Sequence, residues 1–299
     1  MLLIEKSIDQ KYQDLLRRIL SKGFEKSDRT GLGRIGIVGA EIRHDMSTGF
    51  PALTIRKVPY KSVKVELEGF IKGINSKKWY QERGSRFWDQ WANPKKVPYA
   101  NDDETKQKML EEDDLGIIYG NNWRDFHDPM AAEAIDHPSH SGASIDQLAN
   151  LVNELKSNPN SSRMIVSAWN PLALDYAALP ACHDSWQIVV YGGKINLIWR
   201  QRSCDLLLGF PSNLSSYATL LHLLSLESEI PAGEIIGHLG DVHLYTNQIE
   251  AAKEYLGRAD FALPNIETKN FTSIFEWTHD QTKLVNYQSH ERIKIPVAV

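Results

Sequence analysis

Two β-rich runs, Trp186 to Tyr191 and Lys194 to Arg200, flank the dipeptide Gly192-Gly193. A two-residue turn that tolerates positive φ at both positions joins antiparallel strands, so this stretch is predicted to be a β-hairpin. If Tyr191 pairs with Lys194 and the ladder persists, His183 stands opposite Arg202 and Cys182 opposite Ser203. A one-residue shift in the turn would set Cys182 against Cys204 instead. Either register brings a guanidinium close to a thiol, and a nearby fixed positive charge favours thiolate over thiol. Cys182 is therefore a candidate nucleophile. The structural alternatives are a small apolar filler and a cross-strand disulfide with Cys204.

The chain has 299 residues, of which 42% are hydrophobic, enough to bury one large core or two modest ones. A formal net charge of -4 supplies no global basic field, which disfavours duplex nucleic acid as a partner. The N-terminus is charged too early for a signal peptide, and no apolar run reaches membrane-spanning length. A cytoplasmic protein is expected. Two cysteines make no disulfide framework and lack zinc-site spacing, so no metal is expected.

Ile8, Tyr12, Leu15, Leu16, Ile19 and Leu20 recur at helical spacing before Gly23. Residues 27–33 read as a loop, Arg34 to Ile42 and Leu53 to Lys57 as strands, and Pro59 as the opening of a second helix. In that helix Tyr60, Val63, Leu67, Phe70 and Ile71 form the apolar stripe, with Glu66 on or beside it. Such a carboxylate is either a stripe-edge group reaching solvent or a buried acid facing a site. Lys95 to Asp114 is charged and without apolar period, and reads as a surface insertion. Ile145 to Leu155 is predicted to be helical and Met164 to Ala168 a strand; a single α+β domain over residues 1–299 fits best.

After the hairpin, residues 209–213 read as a turn into a helix from Leu214 to Leu226, with Ser212 or Asn213 as its cap. The functional alternative for Asn213 is an amide that reads a base edge, its donor and acceptor side by side. A uracil edge offers the complement.

These segments, ACH at 181–183, QRSCD at 201–205, LGFPSN at 208–213 and GDVHLY at 240–245, together resemble the thymidylate synthase family. The likeness extends through Asp28 to Gly31, Trp88 to Trp91, Tyr119-Gly120 and the terminal PVAV, and covers nearly the whole chain in family order. The resemblance implies an α+β fold with a mixed sheet packed against helices, forming a homodimer across the sheet. It also implies that Cys182 adds to C6 of dUMP, and that C5 then attacks 5,10-methylenetetrahydrofolate, the one-carbon cosubstrate.

By position, the resemblance assigns Arg29, Arg202 and Ser203 to the phosphate, with Arg163 donated from the other subunit. Asn213 would read the uracil, His243 and Tyr245 the sugar hydroxyl, and Asp205 would contribute to both ligands. Glu66, Tyr119 and His183 would order waters for proton transfer. Trp88, Trp91, Leu179, Leu208, Gly209 and Ser212 would line the folate site, with Val297 and Ala298 in a C-terminal lid, residues 295–299. The structural alternatives are core packing for the tryptophans and a statically tucked tail.

Two positions depart from the family pattern. Ser161-Ser162-Arg163 stands where paired arginines are usual, and Ser212 where phenylalanine usually faces the folate. The second bears on the product, because the family also contains nucleotide hydroxymethylases in which water attacks the exocyclic methylene. The expected reaction is conversion of dUMP to dTMP and dihydrofolate, with 5-hydroxymethyl-dUMP and tetrahydrofolate as the alternative products. A silent nucleotide-binding protein and a cysteine hydrolase are the readings outside this class.

Overall fold

A computed structural model of the protein describes residues 6–27, 31–130 and 144–295. Helix α1 (Ile8–Lys22) is set by a capping box: the Ser7 hydroxyl accepts from the Gln10 amide, and the Gln10 side chain accepts from the Ser7 amide. Its apolar stripe lies against β2 (Arg34–Asp45), the long strand expected after the loop. The main sheet also contains β1 (Phe24–Lys26), β3 (Ile165–Ser167), β4 (His183–Tyr191), β5 (Lys194–Asp205) and β6 (Ala232–Tyr245), in the order β1-β2-β6-β5-β4-β3. All neighbours run antiparallel except β5 and β6. A parallel pair needs a crossover, and α7 (Gly209–Ser228) supplies it, buried along most of its length against both strands. The fold is thus a mixed-sheet α+β fold, as the sequence led one to expect.

Leu53 to Lys57 is not a strand. Leu53, Thr54, Ile55 and Arg56 are all buried, so neither parity faces solvent, and the backbone is irregular. The Asp9 carboxylate takes the amides of Thr54 (2.8 Å) and Ile55 (3.1 Å), which a sheet neighbour would otherwise have bonded.

Helix α2 (Tyr60–Lys72) follows Pro59 as expected. Short α5 (Tyr119–Arg124) packs onto it with no spacer: a Cβ on Gly120 would stand 2.8 Å from Phe70 Cα. That close approach brings Tyr119 beside the Phe70 turn of α2. The charged 95–114 segment carries a helix that the sequence reading missed, α4 (Asp103–Glu111), of which only Met109 is buried. A helix with one core residue leaves no period to read. Helix α6 (Gln147–Ser157), capped by Asp146, lies where it was expected.

The start of α7 moves upstream. It begins at Gly209, with Pro211 in the first turn where a missing N–H costs nothing. Ser212 and Asn213 therefore lie inside the helix, and neither caps it. Asp205 makes the turn instead, its Oδ1 accepting from the amides of Leu207 and Leu208 at 3.0 Å each. Among the described residues no helix is long and apolar enough to cross a membrane.

Candidate active site

The hairpin is regular at its tip and broken at its base. Gly192 and Gly193 both have positive φ, and pairs run unshifted from Tyr191–Lys194 to Ser185–Arg200. There the register slips, and His183 faces Gln201 rather than Arg202. Asp184 is the extra residue of a β-bulge, because its carbonyl is taken by the amides of Ala168 (2.8 Å) and Trp169 (3.2 Å) from outside the hairpin. Cys182 consequently faces Arg202, whose amide donates to the Cys182 carbonyl at 2.9 Å, and not Ser203. Cys204 is buried, pairs with Val242 in β6, and forms no disulfide with Cys182.

Arg202 acts on the loop that carries the thiol. Its Nε donates to the Ala181 carbonyl (2.8 Å), its Nη2 to the Pro180 carbonyl (2.9 Å), and its guanidinium lies over the Trp169 ring, 4.9 Å from the centroid. Nη1 keeps no protein partner among the described residues. Cys182 Sγ is 4.0 Å from the same Pro180 oxygen. The two distances bound the separation of thiol and guanidinium at about 7 Å, inside a Debye length, so the cation acts on the sulfur through space.

One wall of the site holds protons. The Cys182 amide donates to Tyr119 Oη at 2.7 Å, and the Tyr119 ring stacks on His183 with centroids 4.1 Å apart. His183 Nδ1 lies 2.8 Å from Tyr217 Oη. Burial pushes His183 down to about 3, so the imidazole is neutral at physiological pH. Burial likewise lifts the Tyr119 and Tyr217 hydroxyls well above the usual phenol range. Half-buried Glu66 is pushed up to about 8 by desolvation, which the Trp88 indole N–H nearby only partly offsets. That N–H is itself buried without a partner in hydrogen-bond geometry among the described residues. Glu66, His183, Tyr119 and Tyr217 are therefore predominantly uncharged at neutral pH.

The facing wall is built by α7 and β6. Asn213 is half-buried, and its amide has no protein partner among the described residues. Ser212 is 9% exposed, and Leu208 and Gly209 are half-buried beside it. Asp205 is largely committed to the fold, since its Oδ2 accepts from Gln248 at 3.1 Å while Oδ1 makes the turn. Parallel pairing puts Ser203 beside Asp241 and Asp205 beside His243, and Tyr245 ends β6 with its amide on Gln248.

Trp88 packs edge-on against Phe70 and Tyr119, while Trp91 is half-buried one turn on. Leu179 lines a small cavity behind the Cys182 loop with Tyr119, Asn122, Asn170 and Pro180. Arg163 is not brought to the cluster: it is exposed on the loop before β3. Arg29, Val297 and Ala298 lie outside the described residues, and of the 295–299 segment only buried Ile295 is described. Among the described residues no group of three His, Cys, Asp or Glu is placed to hold a metal ion.

Tyr217, Trp169 and Arg56 were missed as site residues. Tyr217 lies four residues after Asn213 and so on the same helical face, a signal that was available. Arg56 is buried under the α7 turn, donating to the Leu207 carbonyl with its guanidinium over Tyr255, and a cation inside the apolar run 51–58 was its only trace. For Trp169 the sequence carried none. The family model described as thymidylate synthase matches residues 10–299, from the first turn of α1 to the last residue, and so takes in every element of this site. The chain belongs to the thymidylate synthase family, whose members are one-carbon transferases.

Proposed function

We propose that the protein is a thymidylate synthase in the narrow sense, methylating dUMP at C5 through a bond from Cys182 Sγ to C6. What supports this reading is the wall beside the thiol, where the Tyr119 hydroxyl takes the Cys182 amide and its ring stacks on His183, with Glu66 pushed up to about 8 by burial. Addition of sulfur at C6 pushes an electron pair onto O4, and a carboxylic acid poised near the working pH can donate to the water that protonates it. Asn213, its amide unclaimed among the described residues, pairs with O4 and N3 and holds the ring over the thiol. When C5 later loses its proton, a water held by Tyr119, His183 and Glu66 receives it. Elimination of sulfur from C6 then restores the ring double bond and frees Cys182.

Arg202 Nη1 and Ser203 face the phosphate, joined by Arg29. Exposed Arg163 reaches a phosphate only on a partner subunit, so the active form is a homodimer, its interface on the sheet face bearing half-exposed Ile165. Methylenetetrahydrofolate supplies the one-carbon unit and the hydride. Half-buried Trp91, Leu179, Leu208 and Gly209 would line the pterin with apolar surface, and the 295–299 tail would close over it.

Ser212 supports a second reading. A nearly buried hydroxyl at this surface gives water a hydrogen-bond partner, and water attack would yield 5-hydroxymethyl-dUMP. Mass spectrometry of the nucleotide after incubation with dUMP and methylenetetrahydrofolate decides between them. The expected products are dTMP with dihydrofolate. Hydroxymethyl-dUMP with tetrahydrofolate would establish the second reading, and unconsumed dUMP would remove both.

A further inference from the structure

At the far end of the site, His243 is 2% exposed and fixed on three sides. Gly36 lies opposite it in β2, where any Cβ would stand 3.1 Å from His243 Cβ, and Tyr245 meets the ring edge-on at 5.4 Å. The third side is polar. Nδ1 is 3.2 Å from the Asp241 main-chain oxygen and 3.2 Å from Asp241 Oδ1. Arg34 Nη1 is further off, at 3.5 Å. The other carboxylate oxygen, Oδ2, carries two cations: Arg34 Nη2 at 3.0 Å and Lys26 Nζ at 3.5 Å.

We propose that Asp241, oriented by Arg34, is a positioning residue that keeps the His243 proton on Nδ1, so that Nε2 presents a lone pair to a hydroxyl of the bound nucleotide's sugar. Two oxygens are nearer to Nδ1 than the one competing donor, and an unprotonated Nδ1 would point its lone pair at both. Arg34 and Lys26 occupy Oδ2 and leave Oδ1 to the ring. Nε2 has no hydrogen-bond partner among the described residues. A lone pair accepts only from a donor, so the site selects a nucleotide whose sugar carries a free hydroxyl and disfavours one that lacks it. The consequence for substrate choice rests on the deoxynucleotide reading above; the tautomer does not.

The test is long-range proton–nitrogen NMR on protein labelled with nitrogen-15 histidine, His243 being assigned by its loss in His243→Gln. The Nδ1–H pattern is expected in the wild type without ligand, and the Nε2–H pattern there overturns the proposal. In Asp241→Ala the Nε2–H form gains population. The preference for binding dUMP over 2′,3′-dideoxy-UMP falls from about tenfold to about twofold, the loss of one hydrogen bond. Asp241→Asn keeps an acceptor and restores both readouts. An Asp241→Ala protein with unchanged tautomer and preference also overturns the proposal, and if that variant fails to fold the wild-type spectrum still decides. A wild type that binds no dUMP sinks the nucleotide reading instead, leaving the spectrum to judge the tautomer.

Discussion

Glu66 and Glu68 stand two residues apart on α2, and the molecule treats them in opposite ways. Glu66 turns to the thiol wall, has no cation partner among the described residues, and is lifted to about 8 by burial. Glu68 is the more deeply buried by exposure, and burial alone would raise it too. Lys72 at 2.7 Å, together with the amide and ring of His279 at 2.9 and 2.7 Å, outweighs that burial and holds it below its ordinary value. Burial raises the cost of a charge, and the partners decide whether it is kept. The ionised glutamate fastens α2 to the segment at His279, and the neutral one is free to exchange a proton. A fold that needs both must aim them at different faces of one helix.

The comparison breaks most sharply by exchanging charge for amide. Glu66→Gln should cut kcat by about 10²–10⁴-fold, the usual size of an acid–base contribution, with no loss of Tm at neutral pH. Glu68→Gln should do the reverse, costing about 1–3 kcal/mol of stability from its broken ionic bonds while kcat stays within a few-fold. Steady-state kinetics and thermal melts on the two variants check both. Loss of activity in Glu68→Gln at full stability would contradict the division of labour.

Proton linkage gives the pair opposite signs. Because Glu66 is raised in the folded state, its stabilising contribution is complete below the unfolded pKa near 4.5 and is lost as pH climbs through about 8. Glu68 is lowered, so its contribution is present above 4.5 and disappears as pH falls through its folded value. The Tm difference between wild type and Glu66→Gln should therefore drift against the wild type across pH 5 to 8, while that for Glu68→Gln grows only on leaving acid. Melts across that range would expose any common sign. The rate should also fall above pH 8 as the acid form of Glu66 is lost.

The smallest effect is expected at Trp169, which supports Arg202 through its ring face. Trp169→Leu should raise KM for dUMP about threefold to tenfold, in keeping with a partly shielded cation–π contact, and leave kcat nearly unchanged. An unchanged KM would show that the two carbonyls alone hold the guanidinium.

The same contrast explains what could be read in the chain. Glu66 stood out because it fell beside an apolar helical stripe, a local pattern. Of the partners that keep Glu68 ionised, Lys72 is an i,i+4 neighbour that the spacing of α2 announces, but His279 is 211 residues away and nothing along the helix announces it. The hairpin tip was legible because Gly192-Gly193 dictates its own turn, whereas the bulge at Asp184 depends on amides contributed by Ala168 and Trp169. Leu53 to Lys57 looked like a strand for want of knowing that Asp9 takes its amides. The start of α7 was misplaced because glycine, proline, serine and asparagine read as turn formers, while the residue that makes the turn is Asp205. Local pattern located most elements and picked out Cys182, His183 and Glu66, and the family resemblance supplied Tyr119. Burial set the protonation of Glu66 and His183, while non-local hydrogen bonds set the register around them.

The most direct test uses 5-fluoro-dUMP, whose C5 substituent cannot leave as a cation and so should halt the reaction after both bonds have formed. Intact-protein and peptide mass spectrometry with methylenetetrahydrofolate should find nucleotide and folate together on the peptide containing Cys182, and nothing on Cys182→Ser. An adduct on Cys204, or none on the wild type, would contradict the thiol's assigned role.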